Sequence, residues 1–172
     1  YSSAASDVYK RQEYGNNITV TGHSKGGNKA QYVTIVTDRI GRCVSFDGQG
    51  FSKEFLEFYS ARIEERKSII TSISAEHDFV NSLLFPIAGD IKYIKADFDK
   101  KFGLNHCPNK VFNSNGELNE EVEQPAFLSR LISYLTKYSS ATVSDSTLNA
   151  ILEIISECVV VPTCLLYTSD AA

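Results

Sequence analysis

Ile18-Thr19-Val20-Thr21-Gly22-His23-Ser24-Lys25-Gly26-Gly27 decides the fold. Its first four residues are β-branched and read as a short strand. From Lys25 onward the pattern becomes helical, with Ala30, Val33 and Val36 near helical spacing. Strand, Gly-x-Ser-x-Gly, then helix is the nucleophile-elbow arrangement. The turn is sharp, so its glycines are expected where a Cβ would clash. Ser24 is expected to stand exposed at the strand end, over a helix N-terminus that can stabilise an oxyanion.

Working outward, strands and helices alternate. Arg42-Cys43-Val44-Ser45-Phe46 reads as a second strand that runs into Asp47-Gly48-Gln49-Gly50. Residues 53–67 read as one helix with Phe55, Leu56, Tyr59 and Ile63 on a single face. Ile69-Ile70-Thr71-Ser72-Ile73 and Ile91-Lys92-Tyr93-Ile94 read as further strands. Strands separated by helices predict an α/β fold, a mainly parallel sheet with helices on its faces. It is expected to be a partial α/β-hydrolase fold, truncated on its N-terminal side.

The second half reads differently. Lys110-Val111-Phe112 and Glu117-Leu118 flank Asn115-Gly116, which predicts a small hairpin with a type I′ turn. Residues 117–123 are acidic and read as a solvated loop. Residues 125–138 read as an amphipathic helix with Phe127, Leu128, Leu131, Ile132 and Leu135 on its apolar face. Asp145 marks a last helix start, with Leu148, Ile151, Leu152 and Ile155 as its core face.

Both chain ends read as non-native. Residues 2–12 and 164–172 can be encoded by the two complementary strands of one short DNA, in shifted frames, and resemble a transposon-end sequencing adapter. The expected division is therefore an adapter-derived tail over residues 1–12, the C-terminal part of an α/β-hydrolase domain over residues 13–163, and a second such tail over residues 164–172. The central piece is the size of one domain and is expected to be a fragment, with weak or no activity alone.

The net charge of −4, without a basic cluster, argues against a nucleic-acid partner. No apolar stretch in residues 13–163 reaches membrane-spanning length, and a membrane surface is not indicated as a partner. Cys43, Cys107 and Cys158 form no C-x-x-C pair, and no His, Cys and carboxylate cluster has metal-ligand spacing, so no metal is expected. So few cysteines favour a reducing, cytoplasmic compartment.

A serine nucleophile needs a base, and the base needs an orienting acid. The three histidines are His23, His77 and His106. His23 adjoins the serine inside the turn and reads as a packed residue. His77 reads as a loop histidine. His106, in the loop after the fourth strand, has the chain order that suits a base. Asp78 follows the third strand and Asp47 the second, both at carboxyl ends where open sheets place their sites. Asp78 ranks first as the acid, Asp47 is the alternative and reads as a local turn-former, and Glu76 ranks third. Phe51, Phe79, Leu83, Leu84 and Phe85 read as ordinary core rather than an acyl pocket.

Gly22-His23-Ser24-Lys25-Gly26-Gly27-Asn28-Lys29-Ala30, Val44-Ser45-Phe46-Asp47-Gly48-Gln49-Gly50-Phe51 and His77-Asp78-Phe79-Val80-Asn81-Ser82-Leu83-Leu84 together resemble a bacterial family of lipase-like α/β hydrolases related to class 3 lipases. The resemblance covers roughly residues 18–112. It implies Ser24 as nucleophile, Asp78 as acid, His106 as base, the Lys25 N–H as oxyanion donor, an ester or lipid substrate and no cofactor. The function it implies is a serine esterase or lipase, with a non-catalytic binding domain or an acyltransferase as alternatives. The strands and the loop that normally precede the turn are not seen before it. The serine-bearing strand is therefore expected at an exposed edge.

Overall fold

The computed structural model describes residues 18–138. Its strands form one five-stranded sheet in the order β1-β2-β3-β4-β5, where β1 is Ile18–His23, β2 Ile40–Phe46, β3 Ile70–Ala75, β4 Asp90–Ile94 and β5 Glu121–Val122. The first four run parallel and β5 joins β4 antiparallel, giving a mainly parallel mixed sheet with flanking helices, an α/β fold. Among the described residues β1 pairs only with β2 and forms one edge.

Successive side chains of a strand point to opposite faces. One face carries the cluster of Ala30, Ile35, Cys43, Phe51, Ile63, Ile70 and Ile87. It is covered by α1 (Lys25–Val36), α2 (Lys53–Phe58) and α3 (Ser60–Arg66). The other face carries Ile73, Ala75, Ile94, Ala96 and Val111, with Val44 and Phe46 packed against them. Short 3₁₀ turns at Phe102–His106 and Pro108–Val111 lead the chain across that side. No helix among the described residues is long and apolar enough to cross a membrane.

Four expectations are corrected. The single helix over residues 53–67 is two helices. The chain leaves helical geometry at Tyr59 (φ −102°, ψ 17°), and this bend lets Phe55, Tyr59 and Ile63 all reach the core. The turn at Asn113–Gly116 is not type I′, which needs positive φ at both central residues. Only Gly116 has positive φ, and its N–H closes the turn on the Asn113 carbonyl. Phe112 and Leu118 then form a single bridge rather than a hairpin ladder. The acidic stretch is not all solvated loop: Glu121 and Val122 form β5, and Lys92 and Lys95 pair with Glu121 and Glu120.

The fourth correction concerns the helix predicted over residues 125–138, observed as α4 (Phe127–Tyr138). Its apolar stripe faces outward: Phe127 is 77% exposed, and Leu128, Leu131 and Leu135 are exposed too. Ser129 and Thr136 are buried instead. Ser129 donates its hydroxyl to the Glu76 carbonyl (3.1 Å), and the Leu84 N–H donates to Thr136 Oγ1 (3.1 Å). Hydroxyl bonds to the segment after β3, rather than apolar contact, set the orientation of α4. Cys158, the predicted last helix from Asp145 and both expected tails lie outside the described residues.

Candidate functional site

β1, β2 and β3 end side by side, and each end presents a polar side chain. At the end of β1 the backbone of Ser24 takes φ 57° and ψ −126°, a conformation that costs about 1–3 kcal/mol for a residue with a side chain. The Ser24 N–H donates to the Phe46 carbonyl (2.9 Å), which ties the bend to the end of β2. Its carbonyl accepts the Asn28 N–H (3.1 Å), the first helical bond of α1. The N–H groups of Lys25, Gly26 and Gly27 are thus in the opening turn, whose amides have no partner within the helix.

The glycines divide unevenly. A Cβ on Gly22 would lie 2.4 Å from the Gly26 carbonyl carbon, and one on Gly27 would lie 2.6 Å from Ser45 Oγ and 2.9 Å from the Gly22 oxygen. Strand and helix therefore touch backbone to backbone at Gly22 and Gly27. At Gly26 a Cβ would meet nothing within 4 Å, so the expected clash does not exist there.

His106 closes the 3₁₀ turn after β4 and brings its ring between Ser24 and Asp78. Nε2 lies 2.7 Å from Ser24 Oγ and Nδ1 lies 3.0 Å from Asp78 Oδ1. A carboxylate only accepts, so Nδ1 carries a proton and donates it to Asp78. In neutral His106 this tautomer leaves Nε2 a lone pair, and the Ser24 hydroxyl donates to it. Burial pulls the His106 pKa down, but the hydrogen bond and charge of Asp78, with the charge of Asp47, outweigh it and leave it above the usual histidine value.

Asp78 is fully buried at the end of β3. Besides His106, it accepts the backbone N–H groups of Val80 (3.1 Å) and Asn81 (3.0 Å). Phe79 is buried beside the site, its ring 5.8 Å from that of His106. His23 packs its ring 4.6 Å from the His106 ring, and its Nε2 is buried without a hydrogen-bond partner among the described residues. Burial, then the neighbouring His106 charge, hold the His23 pKa below its usual value. His23 thus backs the site as a neutral ring.

Asp47 is equally buried at the end of β2, but it does not bond His106. Its Oδ1 accepts the Ala75 N–H (2.7 Å) and the Asn81 side-chain amide (2.9 Å). The expected local turn-former is therefore a tie from β2 to the end of β3, made at a φ of 46°. Its Oδ2 has no hydrogen-bond partner among the described residues, and burial, followed by the Asp78 charge, pushes its pKa up to about 7. Glu76 and His77 lie apart from the site: Glu76 accepts the Ala96 N–H (2.9 Å), and His77 packs edge-on against Phe98.

Two amides escaped the sequence reading. Asn28 donates to the carbonyls of Gln49 and Gly50, both at 3.1 Å, and so locks the start of α1 to the turn after β2. Asn81 gives its backbone N–H to Asp78 and its side chain to Asp47. The only sequence signal was the Asp-x-x-Asn spacing of Asp78 and Asn81, which suits a side chain capping a turn. Among the described residues no group of three or more His, Cys, Asp or Glu is arranged to hold a metal ion.

The family model Mbeg1-like matches residues 3–98, more than half of the chain, and the chain belongs to that family. A comparison with curated proteins finds no match. Ser24, Lys25, Asp47 and Asp78 fall inside the matched span and His106 beyond it. This corrects the resemblance to lipase-like α/β hydrolases related to class 3 lipases. It also removes the support for the serine esterase or lipase reading, for its binding-domain and acyltransferase alternatives, and for an ester or lipid substrate. The reason is physical: a sharp strand-to-helix bend fixes how one hydroxyl is presented, and fixes neither family nor substrate.

Proposed function

We propose that this Mbeg1-like protein carries a reactive serine that captures a group covalently from an electrophilic partner. Ser24 Oγ forms the new bond, its proton passes to His106 Nε2, and that proton then leaves with the departing group. Asp78 holds the ring and stabilises its positive charge. The Lys25 N–H, in the opening turn of α1, is the donor proposed for the oxygen that gains negative charge. The observation that carries the reading is the pair of contacts on one ring, 2.7 Å to Ser24 Oγ and 3.0 Å to Asp78 Oδ1. The strained Ser24 backbone supports it, since such strain gathers where function requires it. The parallel order of β1 to β4 around this bend supports a finer fold reading, part of an α/β-hydrolase sheet.

A fluorophosphonate probe tests the proposal, with the adduct read by intact mass. The whole chain is expected to label once, and Ser24→Ala to abolish labelling. His106→Ala is expected to slow it by roughly 10²–10⁴-fold, the usual contribution of a positioned base. The rate should rise with pH as His106 loses its proton, with an inflection above the ordinary histidine value of about 6.5. Labelling that survives Ser24→Ala, or a folded chain that does not label, sinks the proposal.

A further inference from the structure

On the helix-covered face of the sheet, away from Ser24, β3 carries Ser72 and Ser74 where a buried parallel strand ordinarily carries large apolar residues. Both are buried, and their hydroxyls lie 3.3 Å from each other. These small side chains leave room beneath α4. The result is a cavity of about 380 Å³, within the size range of small-molecule sites. Hydroxyl and amide groups make up much of its wall, including Gln31, Asn81, Ser82, Tyr93 and Ser133.

Among the described residues its charge is one-sided: Arg130 and Lys137 reach it from α4, and no described Asp or Glu lines it. They stand seven residues apart, on the same helix face as Ser133. Burial alone holds the Lys137 pKa below the usual lysine value, and its ammonium sits 5.9 Å over the Phe85 ring. A partly desolvated cation facing polar space gains from an anion. Leu84, in the same wall, has φ 64°, an outlier for a bulky residue. It is held there by the bond from its N–H to Thr136.

We propose that this cavity binds a small polyol phosphate of about hexose size, with the phosphate between Arg130 and Lys137 and the hydroxyls over Ser72 and Ser74. The charged end meets the two cations, and the donors and acceptors of the floor replace the hydration of the polyol. A volume of 380 Å³ is large enough to admit a ligand of this size. The inference is separate from the Ser24 proposal, because Ser24, Asp78 and His106 do not line this cavity.

Calorimetric titration of the whole chain tests it, with glucose 6-phosphate, glucose and inorganic phosphate as probes. Glucose 6-phosphate is expected to bind saturably, glucose not measurably, and inorganic phosphate more weakly than glucose 6-phosphate. Lys137→Gln and Arg130→Gln should each weaken glucose 6-phosphate binding by roughly tenfold or more, the scale of one charged hydrogen bond. Ser74→Val should weaken glucose 6-phosphate binding and leave phosphate binding unchanged. Thermal unfolding of each variant establishes that it is folded. The inference is overturned by no binding of glucose 6-phosphate, by equal binding of glucose, or by binding that folded Lys137→Gln and Arg130→Gln leave intact.

Discussion

β2 and β3 run parallel, and each is followed by a buried carboxylate, yet the two carboxylates have opposite surroundings. Around Asp78 the chain turns so that the N–H groups of Val80 and Asn81 point at it, and His106 completes the shell. Around Asp47 the donors reach only one oxygen, and the other is buried with no hydrogen-bond partner among the described residues. One residue serves both, since Asn81 offers its backbone to Asp78 and its side chain to Asp47. Position at a strand end therefore does not by itself set a carboxylate's surroundings. The count and direction of the donors that converge on it do, and under the proposed function they make Asp78 the acid that orients His106.

The largest expected effect breaks this comparison if it fails. Asp78→Asn is expected to slow fluorophosphonate labelling of Ser24 by about 10³–10⁴-fold, because an amide no longer favours the tautomer with the proton on Nδ1. The scale is that of the orienting aspartate in serine proteases. Asp47 acts on His106 through its charge alone. Its loss should cost less than about tenfold, the equivalent of one pKa unit. Equal losses in the two variants would mean that both carboxylates orient the ring, and that the difference in their donors has no consequence.

A smaller effect separates them by pH. Asp47 titrates near 7 in the folded chain and near 3.9 when unfolded. Between about pH 4 and 7 the unfolded chain releases a proton that the folded chain keeps, so stability falls as pH rises through that window. The loss is on the order of a few kcal/mol and levels off above pH 7. In Asp47→Asn the amide oxygen can keep both donors of Oδ1 and does not titrate. Thermal unfolding at pH 5 and pH 7 should therefore show a clear decline for the parent chain and a much flatter response for the variant. Parallel declines would show that the burial of Asp47 carries no proton.

The same contrast explains how much could be read from the chain. β1, α1 and β2 were legible because β-branched residues, glycines and a helical period follow one another without interruption. The approach of Ser24, Asp78 and His106 was legible as an order along the chain, since His23 sits inside the bend and few histidines remain. Asn81 was not legible, because it matters only once the ends of β2 and β3 meet. The bend at Tyr59 carries no Gly or Pro to announce it. In α4 the pattern identified the apolar residues correctly and their surroundings wrongly: hydroxyls at Ser129 and Thr136 turned the helix, which no hydrophobic period records. The family was not legible in the turn around Ser24 either, since that turn is a local solution to presenting a hydroxyl.

The end of β1 sharpens the comparison with the smallest effect, because there two adjacent glycines divide as the two carboxylates do. Gly27 faces β2: a Cβ would press on Ser45 Oγ at 2.6 Å, on the Gly22 carbonyl at 2.9 Å and on Gly48 Cα at 3.1 Å. Two of these are backbone atoms that cannot swing away. Gly27→Ala is expected to destabilise by about 1–3 kcal/mol, the usual cost of overpacking. Gly26 faces open space, lies within α1 and has no positive φ. Gly26→Ala should stabilise by about 0.4–1 kcal/mol, because alanine restricts the unfolded chain and suits a helix. Denaturant unfolding of the two variants reads both signs in one experiment. A loss of stability in Gly26→Ala would mean that the bend needs glycine there for reasons other than space, and the close packing of α1 on β1 and β2 at Gly27 would no longer account for the double glycine.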